Sequence, residues 1–184
     1  MSGVAPQPVE VVVHTQEFRM HATVHMRPGN STAWLLNTDS RTFLALSSVS
    51  MYRPSVAERP PEDARVYDTG FAAVPKAHVT WVSGGAPEAA AEGFGRRPRQ
   101  VFLIYPEYVL SGVLHMRPEL RLSDFLATAI NDKPFQTLFD AVVLEPGPAG
   151  TRVDAWPVLQ RHPFVTVNLK LTSGVFDHRS GVPS

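Results

Sequence analysis

The strings "TVHMRP" at residues 23–28 and "VLHMRP" at residues 113–118 belong to one chain. An internal repeat constrains a fold more than any composition does, because it means that one structural unit is written twice. Sliding residues 11–28 onto 101–118 without a gap sets Glu17 on Glu107, Phe18 on Tyr108, Met20 on Leu110, Ala22 on Gly112 and Val24 on Leu114, before the shared His-Met-Arg-Pro. After one added residue Trp34-Leu35 falls on Phe125-Leu126, and after one more Phe43 falls on Phe135, Leu46 on Leu138 and Pro54 on Pro146. More weakly, "RVYDTGFAAVPKAHVTWV" (65–82) resembles "RVDAWPVLQRHPFVTV" (152–167). Each copy then spans roughly 70 to 75 residues, the size of a small domain. The expected organisation is a first unit at 8–83, a linker at 84–98, a second unit at 99–172 and a flexible tail at 173–184. "SGGAPEAAAEGFGRRPRQ" between the copies has linker composition, and "SGVFDHRSGVPS" reads as a frayed end.

Within a unit the hydrophobic period is mostly two. Phe18, Met20, Ala22, Val24 and Met26 alternate with Arg19, His21, Thr23, His25 and Arg27, the signature of a strand with one apolar and one wet face. Pro28 and Pro118 end these strands, since proline cannot donate to a ladder. In "RLSDFLATAIND" (121–132) Leu122, Phe125, Leu126, Ala129 and Ile130 fall at helical spacing, with Ser123 as the expected cap. Its counterpart "NSTAWLLNTDS" keeps Trp34 and Leu35, has Ser31 or Thr32 as cap, and carries Thr38 and Asp39 where the second copy has Ala129 and Ile130, so the first helix should be shorter. Strands return in "RTFLALSSVSMY", "PFQTLFDAVVL", "HVTWV" and "FVTVNLKL". The expected fold class is mainly β: two tandem repeat units, each a small bent sheet or SH3/Sm-like barrel, with one short α-helix plugging an open end. Seventeen prolines and twelve glycines fit many short elements.

"RLSDFLATA", after a strand ending in "LHMRP" and before "FQTLFDAVVL", resembles the pattern of an uncharacterised bacterial family of small β domains. In that family a strand and a glycine-proline turn precede an RLSDFLN-like helix start and a strand similar to "FIPLTDA". Ala127 stands where the family pattern has Asn, and in the first copy only Trp34, Leu35 and Asn37 echo the helix. The resemblance implies architecture alone and brings no activity with it.

A 43% hydrophobic fraction supports a packed core, and a formal net charge of zero gives no bulk field toward nucleic acid or an anionic membrane. There is no cysteine, which removes thiolate chemistry, disulfides and sulfur-ligated metals. No run of about 18 apolar residues occurs and the N-terminal stretch lacks the features of a secretory leader, so a cytoplasmic protein without membrane contact is expected.

Seven histidines invite a metal reading. His21 and His25 share a strand face, yet residues four apart on a strand lie roughly 13 Å from each other, and there is no HExxH or clustered carboxylate set. No serine sits in a GxSxG elbow, Ser123-Asp124 reads as a helix start, and "GFGRRPR" lacks the Lys-Ser/Thr of a phosphate loop. No catalytic residue, metal or cofactor is expected, and the chain does not read as an enzyme. The two copies differ where Arg19 and Thr23 of the first become Val109 and Val113 of the second, leaving that strand apolar on both faces and in need of cover on both. Such cover can come from the first unit, an identical subunit or another protein. The candidate interaction face is therefore Val109, Val113, His115 and Arg117, with His25 and Arg27 as equivalents. The expected function is a non-enzymatic interaction or scaffold module that self-associates or docks on a protein partner. The alternatives are RNA or single-strand binding through Arg27, Arg117 and the linker arginines 96, 97 and 99, and an enzyme of unrecognised type.

Overall fold

The structure, a computed structural model, describes residues 5–38, 40–56, 62–88 and 95–177. Its strands are β1 (Gln7–Thr15), β2 (Arg19–Met26), β3 (Phe43–Tyr52), β4 (Arg65–Pro75), β5 (Val79–Gly84), β6 (Arg97–Ile104), β7 (Val109–Met116), β8 (Phe135–Leu144), β9 (Val158–Asn168) and β10 (Gly174–Asp177). Helix α1 (Thr32–Thr38) follows β2 and helix α2 (Leu122–Asp132) follows β7; 3₁₀ turns at Glu62–Ala64, Lys76–His78, Val153–Ala155 and Leu169–Leu171 precede β4, β5, β9 and β10. The fold is mainly β, and all ten strands pair antiparallel in one open sheet of order β10-β6-β7-β8-β9-β5-β1-β2-β3-β4. A closed barrel is not formed, because β4 and β10 each pair on one side only. Neither helix is long and apolar enough to cross a membrane.

The residues before and after the middle of the chain use the same pairings. Val13 faces Met20 and Leu103 faces Leu110; Met20 faces Met51 and Leu110 faces Val143; Leu46 faces Ala72 and Leu138 faces Val165. The ladder slips between His21 and Thr23 and again between Ser111 and Val113, and the strand opposite carries a left-handed residue at each place, Ser48 (φ 51) and Asp140 (φ 48). An extra residue at a bulge bends the strand and increases its local twist. Gly112 lies at the second slip, where a Cβ would come within 2.6 Å of Leu138 Cγ and 2.8 Å of the Phe139 carbonyl oxygen.

Four local expectations are corrected. Segment 65–82 does not match 152–167 element for element: the first holds β4, a 3₁₀ turn and β5, whereas Val158–Asn168 is β9 alone. Gly174–Asp177, expected in a tail, forms β10 against β6; residues 178–184 lie outside the described residues. Gly84 and Arg97-Pro98, assigned to the linker, belong to β5 and β6. Ser123 does not cap α2, since Arg121 holds the cap position without a side-chain bond and the Ser123 hydroxyl lies 3.4 Å from Asp124 Oδ1. Helix α1 is the shorter helix, and Ser31 Oγ accepts from the Trp34 N–H at 3.0 Å as its cap.

Two large apolar cores lie against the sheet, on opposite faces where β5 meets β9, and each takes a buried side chain from the other half. The first gathers Val13, Val24, Leu46, Val49 and Val82 with Leu36 of α1, and includes Phe135 of β8. The second gathers Leu103, Leu110, Leu138, Val143 and Val165 with Ala129 of α2, and includes Trp81 of β5. The halves meet where β5 pairs with β9, with Trp81 opposite Val167, Val82 opposite Thr166 and Ser83 opposite Val165. Asn37 braces the joint from α1: its Nδ2 donates to the Phe135 carbonyl at 2.7 Å and its Oδ1 accepts from the Phe135 N–H at 3.1 Å. Asn168 Nδ2 donates to the Val79 carbonyl at 3.0 Å.

Candidate functional site

Among the described residues β4 ends the sheet, so one side of its backbone has no strand partner there. Val66, Tyr67 and Phe71 on it are 53%, 61% and 61% exposed. Beside its C-terminal half opens a cavity of about 350 Å³, lined by the apolar Phe18, Met20, Met51, Ala72 and Val74 and by the polar Gln16, Glu17 and His78. The β1–β2 turn that forms one wall is fixed by Thr15, whose backbone N–H donates to the Phe18 carbonyl at 2.9 Å and whose Oγ1 accepts from the Phe18 N–H at 2.9 Å. The hydrogen-bonded turn holds that wall in place.

The corresponding place in the second half is occupied. Tyr105 and Tyr108 form the turn there, closed by the Tyr105 N–H donating to the Tyr108 carbonyl at 3.0 Å, and Leu110, Val143, Val165 and Val167 line the wall. The side chain that fills it is Trp81, fully buried, which donates from Nε1 to the Tyr108 hydroxyl at 2.9 Å. His14 stacks on the indole at 3.6 Å between centroids and 9° between planes, and His162 meets its edge at 5.6 Å. Burial pushes both phenols up, Tyr105 further under the influence of Tyr108, and Tyr108 further by Glu107 while the Trp81 hydrogen bond opposes the rise, so both stay neutral.

Around this joint lies a polar cluster of His14, Arg19, His21, Tyr52 and His162. Arg19, expected on a wet face, is only 4% exposed, between its cross-strand partners His14 and Tyr52. Burial first, then Arg19, His162 and His21, hold His14 well below the usual imidazole value; burial and then Arg19 lower His21. Both rings are neutral near pH 7. His162 Nε2 lies 2.8 Å from Gln160 Oε1, and Gln160 Nε2 donates to the Val56 carbonyl at 2.6 Å. No group of three or more His, Cys, Asp or Glu able to hold a metal occurs among the described residues. These rings pack an indole into the joint.

The residues singled out from sequence are dispersed. Val109 is 3% exposed, in a small cluster with Phe102 and Leu144 flanked by Trp156 and Phe176, so the valine face is covered at that end by this chain's own segments. Val113 and His115 are half-buried, and the His115 ring lies 5.0 Å from that of Phe139. Arg117, His25 and Arg27 are exposed. β2 and β7 are separated in the sheet by β8, β9, β5 and β1, so roughly 24 Å of sheet lies between the strand that carries His25 and the one that carries His115. Trp81, Tyr67 and Phe71 were missed. The signal was present in "RVYDTGFAAVP", where Val66, Ala72 and Val74 fall on one parity and Tyr67, Phe71 and Ala73 on the other, the double-apolar pattern noted for Val109 and Val113.

No protein-family model matches the chain, and neither the curated proteins nor the solved structures provide a match.

Proposed function

We propose that the chain is a non-enzymatic protein-interaction module built from two copies of one small β unit, β1–β5 with α1 and β6–β10 with α2, and that its working surface is the open β4 edge. The matched succession of strands, helices, 3₁₀ turns and bulges supports the duplication. The RLSDFLN-like start of α2 keeps the second unit in line with the family it resembles. The observation that carries the function is the end strand itself: an unpaired backbone edge flanked by exposed Val66, Tyr67 and Phe71 is a template for strand addition, which natural sheets otherwise blunt with charge, proline or cover. Charge is balanced along the same edge, where Arg65 lies 3.4 Å from Asp68, so β4 lacks the basic groove that a single-stranded nucleic acid requires.

The test compares the intact chain with a Tyr67→Lys/Phe71→Lys variant. Light scattering over a concentration series reads self-association, and capture from the source lysate reads a partner. A complex formed by the wild type and lost in the variant is expected. Indistinguishable behaviour of the two proteins, or binding to mixed oligonucleotides with a steep salt slope, would remove the reading.

A further inference from the structure

Resting on that reading, we propose that the cavity beside β4 is the anchor socket for an extended strand of a partner protein, which pairs with β4 and inserts one aromatic side chain, phenylalanine in preference to tryptophan. The template is inside the molecule. Where β5 adds to β9, Trp81 enters the cavity formed by Tyr105, Tyr108, Leu110, Val143, Val165 and Val167. The pairings of β4 with β3 repeat those of β9 with β8, so Val74 stands where Val167 does, Ala73 where Thr166 does and Ala72 where Val165 does. A strand adding to β4 in the same register therefore sets its anchor opposite Val74 and its next two residues opposite Ala73 and Ala72. Backbone hydrogen bonds supply affinity in such an addition and the pocketed side chain supplies selectivity.

Two observations fix the occupant. Among the described residues the end of the sheet opposite β4 is β10, and there Gly174 takes the anchor position: it faces Ile104 of β6 as Trp81 faces His14 of β1. A glycine leaves a cavity of about 350 Å³ empty, so a second copy seated by β10 gains no anchor, and the occupant assigned is a different protein. The choice of ring follows from Phe18. It stands in the β1–β2 turn where Tyr108 stands in the β6–β7 turn, and Tyr108 supplies the hydroxyl that accepts the Trp81 indole N–H. An indole here loses the hydroxyl partner that Trp81 has in Tyr108, whereas a phenylalanine has no donor to satisfy.

The probe is a fluorescein-labelled peptide of residues 76–86, the chain's own β5 sequence, made with Trp, Phe or Ala at position 81 and titrated by anisotropy against the full chain. The Phe peptide should bind, the Trp peptide no more tightly than it, and the Ala peptide at least about tenfold more weakly. An Ala72→Phe chain, in which the new ring fills the cavity from its own wall, should bind none of them while keeping the wild-type circular dichroism. A peptide bound equally well with Ala at the anchor, tighter binding of the Trp form, binding that survives Ala72→Phe, or no binding by any form would overturn the assignment. So would a wild-type chain whose mass doubles with concentration and returns to monomer in Ala72→Phe, since the socket would then belong to a second copy. If the Tyr67→Lys/Phe71→Lys variant loses a partner while no anchored peptide binds, the interaction module stands and only the socket assignment falls.

Discussion

Replacing Trp81 by alanine removes a side chain that belongs to one half by sequence and to the core of the other by packing. The indole is fully buried, and truncating a buried tryptophan costs about 3–5 kcal/mol from lost transfer energy and the cavity left behind. Its stacking on His14 at 3.6 Å and edge contact with His162 at 5.6 Å contribute about 1 kcal/mol more. The Tyr108 hydroxyl loses its 2.9 Å donor, a loss counted within the truncation range and not added again. A total of about 4–6 kcal/mol lowers Tm by about 8–24 °C in a chain of this length, and is a large part of the whole stability of an ordinary domain. Trp81→Phe keeps a ring in place and should lose about 1–2 kcal/mol. The assay is thermal and urea unfolding followed in parallel by far-ultraviolet circular dichroism and fluorescence. Because Trp81 completes the second core and Phe135 the first, wild type and variants should each melt in one transition seen alike by both probes. A drop in Tm below about 3 °C for Trp81→Ala, or a two-step melt in which half of the sheet keeps its wild-type midpoint, would refute the interlocked packing.

His14 makes the fold acid-sensitive. Its folded-state pKa lies below its ordinary value, so below about pH 6.5 the unfolded chain binds the extra proton and stability falls with pH; at pH 5 one imidazole held neutral costs up to about 2 kcal/mol. His14→Phe, which keeps a flat ring on Trp81, should shrink the difference in Tm between pH 7.5 and pH 5, leaving the smaller effect of His21; an unchanged difference would show that His14 is not the responsible group. Asn37→Ala removes both hydrogen bonds to the Phe135 backbone and should cost about 2–3 kcal/mol in urea unfolding, and Asn37→Asp should recover only part of it, because the carboxylate still accepts from the N–H but repels the carbonyl. Gly112→Ala should destabilise by about 1–3 kcal/mol, because its Cβ meets a backbone oxygen that cannot step aside, whereas Gly70→Ala, with open space around it, should be neutral or stabilising by up to about 1 kcal/mol.

The alternation in residues 18–27 and the helical spacing in 121–132 were legible because each is a local period, and β2 and α2 form there. Val13 and Leu103, which the gapless slide of 11–28 onto 101–118 sets on each other, stand opposite Met20 and Leu110 in the ladders. What escaped was set by contacts far apart in the chain. No period reveals that β5 turns outward to β9, and so Trp81 could not be assigned to a core on the far side of the joint. The valines of β7 announced a need for cover, but its source near Val109, Trp156 and Phe176, lies in a loop and in what looked like a tail. Arg19 read as a wet-face residue, yet it is buried where it pairs across the strands with His14 and Tyr52. The candidate site itself was hidden for the same reason: β4 is exposed by being last in the order, and position in a sheet is not written in any one strand.

The exchange of Phe135 and Trp81 between the cores has a consequence for the chain as it leaves the ribosome. The earlier half must wait, its interior missing a phenyl ring and its indole bared, until nearly all of β8 and β9 has emerged to receive and supply them. Nascent chains at that stage are the ones a holding chaperone would recognise, and a cut placed anywhere between the halves would yield two fragments that are each other's missing interior.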